Sequence, residues 1–150
     1  MFQAIYSSEH FLPVDSRGYS PEFRTITEGA RRRNEDRQIT GFLICASSWF
    51  CQVLEGPEAH VMELLERIED DPRHHCFQIL QTQCTRDREF PSWSMAGVTL
   101  SSSAIVLQLI LLERQFGRRH PPRDRTASEL FDLCRALSAA ASREVAPAFV

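Results

Sequence analysis

Two neighbouring apolar runs constrain the fold of this chain more than any other feature of its sequence. Residues 39–47 and 49–55 are both apolar, and one tight polar turn separates them. Two such runs joined by a short turn predict a β-hairpin. Residues 58–70 follow directly, and their apolar side chains repeat at i, i+3, i+4 and i+7, which predicts an amphipathic helix. The chain must therefore combine strands and helices around one core.

The other periodic segments predict a β-α-β-β-α-β-β order over the first hundred residues. Further strands are expected at residues 2–7, 76–84 and 93–100. A helix over residues 21–34 is expected to begin after Ser20, whose hydroxyl is a good N-cap, with a proline at the first helical position. This order predicts a ferredoxin-like α+β fold, in which two helices cover one face of a five-stranded mixed sheet.

Two more helices are predicted after the last strand. Residues 103–116 are apolar almost all round, so this helix should be buried on more than one side. Residues 126–142 begin with a capping box and continue as an amphipathic helix. We therefore expect one domain over residues 1–100 and a helical extension over residues 101–150, which packs on the sheet or on partner subunits.

Composition and charge disfavour several classes of protein. The net charge of −3 offers no general attraction to nucleic acid. The five cysteines are odd in number and contain no CxxC spacing, which indicates a reducing, cytoplasmic setting. No stretch reaches the roughly 18 apolar residues of a membrane span. We expect a cytoplasmic protein that binds neither nucleic acid nor membrane.

The motifs that usually carry enzymatic chemistry are weak or missing from the sequence. His74, His75 and Cys76 are adjacent on an extended segment, so their side chains point to opposite faces and cannot easily share one metal ion. The acids at residues 69–71 oppose the dipole of the predicted helix end, so at least one should be paired with Arg73 or His74. No P-loop, GxGxxG or GxSxG motif is present. We therefore predict no metal site, and none of these motifs indicates an enzyme.

A different group of side chains stands out. Gln52 lies within the apolar run of the predicted third strand, where an unpaired amide group would cost roughly 1–3 kcal/mol. Tyr6 ends the first strand, Asn34 ends the first predicted helix, and Trp93 and Met95 begin the fifth strand. Taken alone, each has a structural explanation: a strand residue whose polar group is hydrogen-bonded within the protein, a helix C-cap or a core side chain. Together they are redox-capable or switchable groups, which suits a bound redox-active aromatic cofactor.

Five blocks of sequence, all in order, resemble the BLUF domain, a flavin-binding blue-light sensor. The resemblance extends over about residues 2–100. The overall length and the two predicted C-terminal helices resemble the short PixD-type members, which carry no effector domain. The blocks are Ile5-Tyr6-Ser7-Ser8, Asn34 with Gln38-Ile39-Thr40-Gly41, Phe50-x-Gln52-x-Leu54-Glu55-Gly56, Arg67-Ile68-x-x-Asp71-x-Arg73-His74, and Phe90-x-x-Trp93-Ser94-Met95.

The resemblance implies a role for each matched residue. Tyr6 would donate an electron and a proton to the photoexcited flavin, and Gln52 would bridge Tyr6 and the N5/O4 edge of the ring. Trp93 and Met95 would relay the signal from the fifth strand. The flavin would be FAD, with FMN and riboflavin as alternatives. The implied cofactor-binding residues are Tyr6, Ile26, Arg33, Asn34, Gln52, Arg67, Asp71, Arg73 and His74.

The sequence departs from the family pattern at two places. The polar stretch over residues 8–20 is longer than is usual in the family, and it could form a lid or reshape the cofactor entrance. Arg33 stands where many members carry a smaller residue. Its guanidinium could contact flavin phosphate or carbonyl oxygens, or it could crowd the ring edge.

The sequence therefore predicts a blue-light photoreceptor that self-associates as a homo-oligomer and signals to a separate downstream effector protein. One alternative is a light-insensitive ferredoxin-like module that has lost flavin and binds a partner protein through its C-terminal helices. Another is an RNA-binding module on the same topology. The net charge of −3 disfavours that last alternative, because RNA recognition on a sheet needs exposed aromatic residues and a basic surface.

Overall fold

The computed structural model describes residues 1–13, 20–45, 49–91, 96–98 and 127–145. The predicted helix over residues 103–116 lies outside these ranges, as do both ends of the predicted fifth strand. The predicted ferredoxin-like α+β class is confirmed. The elements in chain order are β1 (Phe2–Glu9), α1 (Pro21–Asp36), β2 (Thr40–Cys45), β3 (Trp49–Gly56), α2 (Glu58–Glu69), β4 (His75–Cys84), β5 (Ala96–Val98) and α3 (Ala127–Val145).

The strands form one sheet in the order β4-β1-β3-β2-β5. Neighbouring strands are antiparallel except β2 and β5, which run parallel. Strand β3 is central, and its Gln52 lies directly opposite Tyr6 of β1 on one side and Leu43 of β2 on the other. Because directly opposed side chains in a sheet point to the same face, this register brings Tyr6 and Gln52 together.

The sheet separates two apolar cores. Alternate strand residues such as Ala4, Tyr6 and Leu54 pack against α1 and α2. Their neighbours in sequence, such as Ile5 and Val53, point to the other face and pack against α3. Helices α1 and α2 therefore cover one face of the sheet, and α3 covers the opposite face. No helix among the described residues is long and apolar enough to cross a membrane.

Helix α1 has the predicted beginning but a different end. The Ser20 hydroxyl accepts a hydrogen bond from the backbone N–H of Phe23 at 3.4 Å. The prediction that Asn34 ends the helix is wrong, because α1 continues to Asp36. The chain instead leaves the helix through Gln38, whose φ of 56° lies in the left-handed region. Asn34 therefore lies in the last turn of the helix, where it is buried.

Candidate functional site

A cleft opens between α1 and α2, with β1, β2 and β3 as its floor. Its volume is about 250 Å³. All nine residues that the sequence predicts to bind a cofactor line this cleft, whereas Trp93 and Met95 lie outside the described residues. The lining residues are Tyr6, Ile26, Ala30, Arg33, Asn34, Leu43, Phe50, Gln52, Leu64, Arg67, Ile68, Asp71, Arg73 and His74.

Tyr6 and Gln52 are joined by a hydrogen bond at the floor of the cleft. The phenolic O–H of Tyr6 donates to Oε1 of Gln52 at 2.5 Å, and both side chains are buried. Burial raises the pKa of Tyr6 well above its ordinary value of 10.0, and the nearby Cys51 and Asp71 raise it further. The phenol therefore keeps its proton and donates it. The amide oxygen of Gln52 is then the acceptor, and its nitrogen carries the two N–H donors.

His74 lies beside Tyr6 as a neutral imidazole. Burial lowers its pKa to about 4, an effect that the nearby Asp71 partly offsets. Its Nδ1 is within hydrogen-bonding distance of the Ser8 hydroxyl at 2.8 Å, and its ring centroid lies 6.2 Å from that of Tyr6. The sequence analysis did not assign Ser8 to the site. The signal was present, because Ser8 follows Tyr6 by two residues on one strand and so shares its face.

Asp71 and Arg73 form an ion pair at the mouth of the cleft. Arg73 Nε lies 2.9 Å and 3.1 Å from the two carboxylate oxygens, and its terminal nitrogen donates at 2.5 Å. These bonds are the main cause that lowers the pKa of Asp71 to about 2. The expectation that one acid after α2 has a partner is thus confirmed. With Arg33 and Arg67, the lining carries three guanidinium groups and one carboxylate, which favours a ligand with anionic or carbonyl oxygens.

Apolar side chains complete the walls of the cleft. They come from both helices and from the sheet: Ile26 and Ala30 from α1, Leu64 and Ile68 from α2, and Leu43 and Phe50 from the sheet. The sequence analysis assigned only Ile26 of these to the site. Strand alternation was the available signal for Leu43 and Phe50. The first lies directly opposite Gln52, and the second precedes it by two residues on the same strand.

Apolar walls with amide groups at the floor and edge form a site for a flat aromatic ligand with polar edges. The amides of Gln52 and Asn34 can each donate and accept hydrogen bonds, as a heterocycle with adjacent carbonyl and imide groups requires. Among the described residues, no group of three or more His, Cys, Asp or Glu side chains could hold a metal ion.

Comparison with known proteins identifies the family. The family described as BLUF, sensors of blue light using FAD, matches residues 1–96. The chain belongs to the BLUF family. A curated relative is the photoactivated adenylate cyclase subunit beta of Euglena gracilis, which is 35% identical over 95 residues. That match covers 63% of this chain and only 11% of the cyclase subunit.

Two solved structures match nearly the whole chain. BlrB, a BLUF protein in its dark state, is 27% identical with a TM-score of 0.71, covering 93% of this chain and 96% of BlrB. BlsA in its photo-activated state is 26% identical with a TM-score of 0.70, covering 91% and 93% of the two chains. BLUF domains bind flavin and sense blue light, so the family supports a photoreceptor function for this chain.

Proposed function

We propose that this chain senses blue light through a flavin held in the cleft between α1 and α2, and that FAD is the flavin. The observation that carries the proposal is the 2.5 Å hydrogen bond from Tyr6 to Gln52 at the floor of that cleft. It joins a buried phenol to an amide that can form hydrogen bonds in two orientations. FMN and riboflavin are the alternatives, since the same ring would fit the same walls.

The other lining residues would hold the cofactor by complementary chemistry. Asn34 would bond the carbonyl and imide edge of the ring, and Ile26 would pack on its face. Arg73, held by Asp71, would bond carbonyl oxygens at the other end of that edge. His74 would lie near the ribityl chain. Arg33 and Arg67, which are exposed on α1 and α2, would attract the phosphates.

A bound flavin would supply the light absorption and, once excited, the oxidising power. Tyr6 would then give up an electron to the excited flavin, and the oxidised phenol would become a strong acid. Its proton would move to the Gln52 oxygen, because this is the acceptor at hydrogen-bonding distance. After the electron and the proton return to Tyr6, the amide of Gln52 would remain rotated or tautomerised. A donor of the rearranged amide would then hydrogen-bond a carbonyl of the ring, which would shift the absorption to the red.

We further propose that this chain turns over no substrate itself and passes its signal to a separate effector protein. Residues 1–100 would form the flavin-binding domain, and residues 101–150 the helical output segment, with Trp93 and Met95 as relay residues. The exposed apolar side chains of Phe11 and Ile79 support self-association. The free, exposed thiols of Cys76 and Cys84 support a reducing, cytoplasmic setting.

The test is a light-minus-dark absorption spectrum of the purified protein reconstituted with FAD. Blue light should shift the flavin absorption to the red, and the shift should decay in the dark. Tyr6→Phe and Gln52→Leu should still bind flavin and lose the shift, because each lacks one partner of the hydrogen bond.

The matched control is Gln3→Leu. It removes another buried glutamine, whose side-chain amide donates a hydrogen bond to Glu55 and not to Tyr6. Its red shift should be retained. A full red shift in Tyr6→Phe would disprove the proposed chemistry. A wild-type protein that cannot be reconstituted with flavin would favour the light-insensitive interaction module instead.

A further inference from the structure

A buried carboxylate lies on the face of β3 opposite to the cleft. Glu55 is fully buried, and three N–H groups donate to its two carboxylate oxygens. The Gln3 amide donates at 2.8 Å, the backbone N–H of Glu89 at 3.0 Å, and that of Phe90 at 2.9 Å. The Gln83 side-chain amide donates in turn to the side-chain oxygen Oε1 of Gln3 at 2.6 Å. All three partners of the carboxylate are N–H donors, so both of its oxygens have hydrogen-bond partners although the side chain is buried.

Two of these donors belong to residues 85–91, the described part of the loop between β4 and β5. Arg88 fixes the same loop from its other side. Its guanidinium donates to the backbone oxygen of Glu55 at 2.8 Å, to the Thr40 hydroxyl at 2.8 Å and to the Gln38 carbonyl at 2.6 Å. The loop is therefore attached to the C-terminal end of β3 and the start of β2 by hydrogen bonds from both its backbone and a side chain.

The same loop touches α3. The ring of Phe90 stacks on Phe42 of β2 at 5.8 Å between centroids, and it meets the edge of Phe131 of α3 at 6.1 Å. Next to it, Glu89 forms an ion pair with Arg135 of α3 at 2.5 Å. Residues 89 and 90 thus contact Glu55 through their backbone and α3 through their side chains.

Strand β3 also meets α3 directly through apolar packing, since Cys51 and Val53 share a buried core with Leu130 and Cys134. Apolar packing is non-directional, whereas hydrogen bonds have a preferred geometry. The contact through the loop is therefore the directional one of these two connections between β3 and α3.

We propose that Glu55 is a positioning residue that couples the state of β3 to helix α3 through the loop over residues 85–91. The inference rests on the proposed light reaction at Gln52, which lies three residues earlier on the same strand. When the Gln52 hydrogen bonds change, any shift of β3 moves the Glu55 carboxylate. The amides of Glu89 and Phe90 follow their acceptor, and they carry Arg135 and Phe131 of α3 with them.

The test measures two quantities on the FAD-reconstituted protein in the dark and under blue light: the flavin red shift and the hydrogen exchange of α3 amides. In the wild type, light should change both. In Glu55→Gln the red shift should persist, because the substitution lies on the opposite face of the sheet. The light-induced change in α3 exchange should be lost, because one backbone N–H then faces an amide donor in place of a carboxylate oxygen.

If Glu55 had a purely structural role, Glu55→Gln would raise the hydrogen exchange of the loop amides equally in the dark and in the light. The light-minus-dark difference in the hydrogen exchange of α3 amides would then stay intact. That result with a normal red shift would overturn the inference, as would a wild-type α3 that does not respond to light. A wild type without any red shift would instead overturn the proposed function, and the inference with it.

Two further variants complete the test. Gln83→Ala alters the outer end of the same network without touching the loop, so its α3 response should match the wild type. Arg88→Met loosens the loop and leaves the carboxylate in place, so it should weaken the α3 response. If Glu55→Gln fails to fold, the test depends on Arg88→Met. A light-induced change in α3 exchange as large as that of the wild type in Arg88→Met would overturn the inference.

Discussion

Tyr6 keeps its proton at neutral pH, since burial raises the pKa of its phenol well above 10.0. A tyrosine in this setting cannot lose a proton to water before it is oxidised. In the proposed light reaction, loss of an electron would therefore be coupled to proton transfer along the hydrogen bond from the phenol to Gln52. The cross-strand register of β1 and β3 places the two side chains at this distance, so the geometry is built into the sheet.

At the residue scale, His74 should make stability dependent on pH. Its folded pKa of about 4 lies below the ordinary 6.5, so between these values the unfolded chain binds a proton that the folded chain does not. The free energy of unfolding should therefore fall as the pH is lowered from 6.5 to 4. His74→Gln should flatten this part of the curve, measured by chemical denaturation at a series of pH values.

The control for this prediction is His75→Gln, an exposed histidine next in sequence. It should leave most of the slope between pH 6.5 and 4 in place, because burial, and not the nearby His75, is the main cause that lowers the pKa of His74. Asp71, Arg73 and His10 also act on the imidazole, but the Asp71 carboxyl titrates near pH 2, below the window. A slope in His74→Gln equal to that of the wild type would contradict the prediction.

At the scale of elements, β1 is longer than its apolar pattern predicts. The sequence predicts residues 2–7, whereas the strand runs to Glu9. Its polar end is extended because Ser8 and Glu9 pair with Phe50 and Trp49 of β3, and Glu9 also pairs with His75. Such partners are distant in sequence, so alternation within β1 alone could not indicate them.

Helix α3 is attached to the sheet by a buried apolar stripe, which gives a direct prediction. Leu130 is fully buried in the core that α3 shares with β1, β2 and β3. Leu130→Ala should lower the free energy of unfolding by about 2–5 kcal/mol, as large-to-small core substitutions do. Denaturant titration measures the change.

Asp132 on the same helix is the matched control, because its side chain is 73% exposed. Asp132→Ala should change the free energy of unfolding by no more than about 0.5 kcal/mol. An equally small effect of Leu130→Ala would mean that α3 does not pack on the sheet in solution.

At the scale of the whole molecule, the cleft joins α1, α2 and the sheet, so a ligand bound there should stabilise all of them together. FAD at about 100 times its Kd should add about 2.7 kcal/mol to the free energy of unfolding. For a chain of this size, that corresponds to a rise in Tm of roughly 5–11 °C. Thermal unfolding with and without FAD measures the rise, and riboflavin in parallel tests whether the phosphates contribute.

Ala30→Phe should abolish the rise in Tm, because Ala30 lines the cleft and a phenyl group would fill it. The matched control is Ala59→Phe, an exposed alanine in the first turn of α2, which should keep the rise. An undiminished rise in Ala30→Phe would place the flavin elsewhere.

The nine residues proposed to bind the cofactor could be named from the sequence because family motifs mark chemical groups at given spacings. Their meeting in one cleft depends on the fold. The apolar lining residues Leu43, Phe50 and Leu64 were missed. Strand or helix periodicity places each on an inward face, but it does not distinguish a side chain that packs on a ligand from one that packs in the core. Ser8 was missed as a partner of His74, since 66 residues separate the two.

The sequence by itself determined the order of strands and helices, the apolar face of each, and the presence of Tyr6, Gln52 and Asn34 at recognisable positions. These are local properties, carried by side-chain periodicity and by short motifs. Only the tertiary structure decided that α3 covers the sheet face opposite to the cleft, and that Glu55 holds the loop at residues 85–91. Periodicity shows that a face must be buried but not what buries it, and a buried carboxylate reveals its partners only when the strands are in register.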